Sequence, residues 1–110
     1  MPFVDNKDLP SHELVKGFNA RFVHTDELTV AYVDAKQGGV LPEHFHINQQ
    51  VTNIIDGELE ITVEGKTTIL KSGMVAVIPS NAKHSAVALT DCRIIDVFQP
   101  VREDYKKLDE

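Results

Sequence analysis

One cysteine among 110 residues leaves Cys92 without an intrachain partner, so no disulfide framework holds this chain together. Its CRII surroundings read as a buried strand, and a core thiol is the expectation there. No apolar run approaches membrane-spanning length. The opening MPFVDNKDLP has neither the basic n-region nor the apolar h-region of a secretory leader, so the expected location is the cytoplasm. Positive charge is scarce as well. Eleven basic residues stand against seventeen acidic ones, giving a net charge of −6. Nucleic acid and anionic membrane both demand a concentrated positive field, so neither is an expected partner. A small anionic substrate needs only a local cationic site and fits the same composition. Repeats, low-complexity tracts and linkers are also missing, and a helical pattern is confined to the tail.

What is there is an ordinary globular composition, 42% hydrophobic and 25% charged, of single-domain length. Short stretches of period-two alternation recur along it. Phe18, Ala20 and Phe22 alternate with polar residues. Leu28, Val30 and Tyr32 do so after the turn-like His24-Thr25-Asp26-Glu27. Asp56-Gly57, Glu64-Gly65, Ser72-Gly73 and Thr90-Asp91 mark further turns, and MVAVIP is a continuous apolar strand closed by Pro79. Nine or ten short strands at six- to twelve-residue spacing predict an all-β sandwich or barrel, closure of which removes exposed edges. The expected organisation is an arm over 1–13, a barrel over 14–100 and a tail over 101–110. In the tail, acids precede lysines after Pro100, as a short helix prefers. His12 in the arm and His24 at a hairpin tip are expected to be solvated surface residues.

The segment Gly38–Gly57, GGVLPEHFHINQQVTNIIDG, carries the chemistry. His44, His46 and Gln50 share one parity, so an extended chain points all three the same way. With His84 arriving from the SNAK loop they make a candidate four-ligand metal site, since neutral imidazole and an amide oxygen both bind first-row transition ions. The competing reading of HFH alone is two polar residues on a solvated strand face. A structural amide beside a three-histidine site is the competing reading of Gln50.

Two spaced motifs favour a metal site over the solvated-face reading of HFH. The pattern G-x5-H-x-H-x3-E-x6-G is met by Gly38, His44, His46, Gln50 and Gly57, with glutamine for glutamate. The pattern G-x5-P-x-G-x2-H-x3-N is met by Gly73, Pro79 and His84, with Asn81 for glycine and Ala88 for asparagine. These motifs resemble those of the cupins, and the resemblance implies a small double-stranded β-helix, or jelly-roll, barrel. Gln50, the IP…H run and the end DVFQPVRED look more narrowly like the pectin degradation protein KdgF group, small cupins that handle unsaturated uronates. That likeness implies a divalent ion (nickel, zinc, iron or manganese) on His44, His46, Gln50 and His84, and catalytic residues Asp96, Phe98 and Arg102. It implies ring opening of a 4,5-unsaturated uronate, and by analogy a homodimer. The group's ligand strand commonly has a histidine and a glutamate where Asn48 and Gln49 stand here.

An all-neutral ligand set leaves the ion's charge uncompensated, which favours an anionic substrate over redox cycling with oxygen. Parity within RIIDVF puts Asp96 on the face of Ile94 and Phe98. If that face is the interior, desolvation raises the carboxyl pKa to suit a general acid/base. Arg102 is expected to clamp a carboxylate bidentately, and Phe98 to shape the wall. A cupin dioxygenase using iron and a non-catalytic sugar-binding cupin are the alternatives.

Overall fold

The computed structural model describes residues 2–110. After a short 3-10 turn at Asn6–Asp8 come ten strands: β1 His12–Val15, β2 Phe18–His24, β3 Thr29–Ala35, β4 Val40–His44, β5 Gln49–Asp56, β6 Leu59–Val63, β7 Lys66–Leu70, β8 Val75–Ile78, β9 His84–Ala88 and β10 Cys92–Gln99. A single helix, α1 Glu103–Leu108, closes the chain, with Glu103 and Asp104 in its first turn and Lys106 and Lys107 in its last. The strands form two antiparallel sheets, a six-stranded one in the order β1-β2-β3-β10-β5-β8 and a four-stranded one in the order β4-β9-β6-β7. The all-β jelly-roll barrel predicted from the motifs is the observed fold.

The core between the sheets is built in layers that the strand registers define. Val33, Ile94 and Ile54 face one another across β3, β10 and β5, backed by Leu59, Ala86 and Ala88 of the smaller sheet, and close one end of the barrel with apolar side chains. One layer along, Ala31, Asp96, Thr52 and Ala76 are in register, and beyond them Thr29, Phe98, Gln50 and Ile78. Polar side chains thus enter the interior only towards the other end.

The structure departs from simple alternation at several places. Leu28, Val30 and Tyr32 do not form the inner face of β3. Thr29, Ala31, Val33 and Ala35 do, and all four are buried. The reason is that the six-stranded sheet is apolar on both sides. A row of valines, Val23-Val30-Val97-Val51-Val77, crosses the outer face of five strands in register. In the same way MVAVIP is not buried throughout, because β8 is an edge strand whose Val75 and Val77 face outward and are exposed. His12 and His24 are not solvated either. The tail folds back over β1 and β2, so that His12 Nε2 lies 2.6 Å from Asp109 Oδ1 and His24 Nε2 lies 3.5 Å from Asp109 Oδ2. His24 Nδ1 meets Thr29 Oγ1 at 2.8 Å, and Phe22 stacks on His12 and Tyr105. Each tight turn has its own sterics. Gly57 sits at φ +91° against the β9–β10 turn, and a Cβ there would strike the Asp91 carbonyl, whereas Gly65, at φ +78°, faces open space.

Gly65→Ala therefore costs only the left-handed backbone penalty, about 1 kcal/mol. Gly57→Ala is expected to cost roughly 1–3 kcal/mol more because main chain must shift to admit the methyl. Urea unfolding of the two variants side by side checks this, and equal losses would contradict the packing of the β5–β6 turn.

Candidate metal centre and active-site pocket

His44 ends β4 and His84 begins β9, and the two are partners in register across those strands. His46 lies in the connection between β4 and β5, where the chain leaves the four-stranded sheet for the six-stranded one. The alternation of inward and outward side chains persists although that segment is not a continuous strand. His44, His46, Asn48 and Gln50 turn inward while Phe45, Ile47 and Gln49 are exposed. The crossing is pinned from outside: Asn81 N donates to the His46 carbonyl at 2.8 Å and Ser80 Oγ to the Ile47 carbonyl at 2.5 Å. Asn81 has φ +63°, the left-handed geometry for which asparagine is a tolerable substitute for glycine. Asn48 is buried and donates to the Pro100 carbonyl at 2.5 Å, tying the ligand segment to the C-terminal one.

The three imidazole rings gather with centroid separations of 4.1, 4.9 and 5.7 Å. Their ligand nitrogens lie within 4.8 Å of one another, an arrangement able to hold a metal ion. Each ring is oriented by the main chain. Nδ1 of His44, His46 and His84 meets the carbonyls of Pro42, Asn48 and Ala82 at 2.8, 2.9 and 2.8 Å respectively. A carbonyl only accepts, so each Nδ1 carries the proton and each Nε2 presents a lone pair. Burial lowers the pKa of His46, with Arg102 adding to it, and burial holds His84 down to about 4. These two rings are thus neutral at neutral pH, as metal ligands must be.

Gln50 sharpens the fit. Its Nε2 donates to Thr52 Oγ1 at 2.9 Å and to Asp96 Oδ1 at 3.3 Å, which aims Oε1 at His46 Nε2, 3.1 Å away. With the tautomer fixed by Asn48, two acceptors face each other. Such a contact is repulsive unless a cation lies beside both. His84 Nε2 is buried with no hydrogen-bond partner among the described residues, a second lone pair aimed at the same place. The donor set of three imidazoles and one amide oxygen fits a divalent transition ion.

Beyond these residues a cavity of about 570 Å³, counted with the solvent in its mouth, runs into the barrel. Leu41, Ile61 and Phe98 give it apolar walls, and Ser85, Asp96, Arg102 and Tyr105 add further polar groups. Asp96 faces inward between Ile94 and Phe98. Burial raises its pKa to about 6 against the opposing pull of Thr52, Gln50 and Arg102. Arg102 is buried, with its guanidinium carbon 3.8 Å from the Tyr105 ring centroid and 4.7 Å from that of Phe98. It is not free to grip a carboxylate with two nitrogens. Nε and Nη2 already form a fork on Asp104 at 3.0 and 2.8 Å, which leaves Nη1 alone, buried and unpaired among the described residues. Thr52, Asp104 and Tyr105 are site residues that sequence reasoning missed. Thr52 shares the parity of Gln50 and was available to the same argument. Asp104 and Tyr105 enter only because α1 folds back.

A model of the cupin domain matches residues 22–98, and the chain belongs to that family. Its relatives narrow the likeness. The pectin degradation protein KdgF of Dickeya dadantii (strain 3937) is 30% identical over 106 residues, covering 94% of this chain and 96% of that protein. The structure of KdgF from Halomonas sp. superposes with a TM-score of 0.88 at 30% identity, over 96% of this chain and 98% of the other. An RmlC-like cupin from Shewanella frigidimarina NCIMB 400 gives a TM-score of 0.90 at 25% identity, over 96% of both chains.

The opposed pKa shifts make a prediction for metal-free protein. Asp96, raised from 3.8 to about 6, lets the native state hold a proton that the unfolded state has lost, so stability falls as pH rises through that window. His84, lowered from 6.5 to about 4, does the reverse, and the two largely cancel between. Asp96→Asn removes the falling component. Its stability is expected to climb with pH more steeply than wild type between pH 4.5 and 6, by up to about 1.4 kcal/mol per pH unit. Parallel urea-unfolding profiles in chelator would place the Asp96 carboxyl in an ordinary environment instead.

Proposed function

We propose that this protein catalyses metal-dependent opening of 4,5-unsaturated uronates to the linear 5-keto-4-deoxyuronate, in the breakdown of pectin or alginate. The observation that carries the reading is one pocket holding a three-histidine cluster, a desolvated carboxyl and a single unpaired guanidinium nitrogen. Likeness to KdgF supports it. A divalent ion held by His44, His46, Gln50 and His84 would supply Lewis acidity and positive charge towards substrate oxygens. The residues of the chain do the rest. The Asp96 carboxylate takes the proton of the C1 hemiacetal hydroxyl. The bond between C1 and the ring oxygen breaks, its electron pair going to that oxygen, and C1 becomes an aldehyde. The enol left across C4 and C5 becomes the C5 ketone as C4 takes a proton from Asp96. One proton leaves O1 and one arrives at C4, so no water is consumed and the reaction is an isomerisation. Arg102 Nη1 donates to the substrate carboxylate, while Phe98 and the aliphatic wall keep water from the Asp96 carboxyl.

The same reading includes a homodimer. The valine row on the outer sheet face is flanked by Tyr32, Ile95, Asn53 and Val75 on one side and by Gln49 and Gln99 on the other. No lysine or carboxylate lies in these three rows, and Arg21 beside them is satisfied by the carbonyls of Asn6, Lys7 and Leu9. On a molecule of net charge −6 this is a face that can meet its own copy without opposing carboxylates. A two-fold axis through Val97, the middle of the row, lays valine on valine.

An ultraviolet assay following loss of the conjugated double bond of 4,5-unsaturated galacturonate tests the chemistry. Metal-loaded wild type is expected to outrun the spontaneous reaction, and Asp96→Asn to lose about 100-fold or more of the rate. No acceleration with nickel, zinc, iron or manganese would sink the proposal, and oxygen uptake by the iron form would favour a dioxygenase. For assembly, wild type is expected at twice the mass of one chain by light scattering. Val97→Lys, which would set two ammonium groups against each other on the axis, is expected at one. A monomeric wild type removes the dimer.

A further inference from the structure

Arg102 is held more completely than a pocket arginine needs to be for packing alone. Its amide donates to Thr29 Oγ1 at 2.9 Å, fixing the main chain where the tail leaves the barrel. Its guanidinium lies in the corner made by Phe98 and Tyr105, whose rings meet edge to face at 5.7 Å. The fork on Asp104 then fixes rotation within that corner, because two of three coplanar nitrogens are committed. Asp104 is on the solvent side, with 62% of its side chain exposed, against 9% for Arg102. The fork therefore commits Nε and Nη2 and leaves Nη1 buried and unpaired among the described residues, in a side chain that lines the pocket. The segment is itself anchored. Asp109, at the end of α1, reaches His12 and His24, and His24 reaches Thr29, the acceptor of the Arg102 amide.

We propose that Asp104, with Tyr105 stacked beside it, is a positioning residue that converts Arg102 into a one-nitrogen anchor for the substrate carboxylate. This rests on the reading of the pocket as a uronate site and adds to it a specificity device outside the barrel. Two committed nitrogens mean that Arg102 cannot swing out to solvent or grip a carboxylate with its full fork. The substrate carboxylate must come to Nη1 at one place. The anchor contributes equally before and during the reaction, so its loss appears in KM rather than in kcat.

The test measures binding apart from turnover. Metal-loaded wild type and Asp104→Ala are titrated calorimetrically with galacturonate, which has no double bond to react, and with galactose as the uncharged control. Asp104→Ala is expected to weaken galacturonate about tenfold and to leave galactose unchanged, with Asp104→Glu recovering most of the loss. In turnover of the unsaturated uronate, Asp104→Ala is expected to raise KM by a similar factor with kcat within about threefold of wild type. Equal galacturonate affinity in wild type and Asp104→Ala overturns the proposal, and so does failure of wild type to prefer galacturonate over galactose. If wild type shows the preference, Asp104→Ala loses it and neither turns over the unsaturated sugar, the anchor stands and the ring-opening reading falls.

Discussion

Polar groups carried into an apolar barrel must find partners, and at one end of this barrel the pairing leaves acceptors over. Gln50, Thr52, Asp96 and His84 face inward among side chains that are otherwise aliphatic or aromatic. Carbonyls consume the Nδ1 protons, and Thr52 and Asp96 consume the amide protons of Gln50. What is left is a concentration of lone pairs at close range, which only a cation relieves. The same desolvation that makes these histidines neutral makes the neighbouring carboxyl hard to ionise. The two halves of the site are consequences of one environment.

The layered interior explains why the chemistry is confined to one end. The layer through Val33, Ile94 and Ile54 is apolar, and Val33 and Ile94, with Leu59 and Ala86 of the smaller sheet, line part of the cavity without offering it a polar group. The layers through Asp96 and Phe98 are where the polar set begins, and the cavity opens from them. The C-terminal segment completes that end. Asn48 binds it to the ligand crossing, the Arg102 amide donates to Thr29, and Tyr105 packs on Phe22.

Much of this was legible from residue spacing, because period-two alternation survives even where the chain is not regular strand. His46 sits in a connection, yet it turns inward as the parity of His44 and Gln50 demands. Asp96 follows Ile94 and Phe98 for the same reason. Parity identifies two faces without saying which is inside, and in β3 the apolar alternation of Val30 and Tyr32 belongs to the outer one, since the outer face of the larger sheet is as apolar as many cores. Contacts across long sequence separations were beyond reach. His12 and Asp109 lie 97 positions apart, and nothing local in either marks the other. Asp104 carries no pattern of its own; only the return of the tail brings it to Arg102.

The carbonyls that orient the three imidazoles belong to the main chain of Pro42, Asn48 and Ala82, and no point substitution can delete a carbonyl. Where a metal site is steered by side-chain carboxylates, drift at those positions erodes it. Here the steering is inherited from the path of the backbone and lasts as long as the barrel does. Mutation is therefore free to rework the apolar walls of the pocket while the three imidazoles stay aligned.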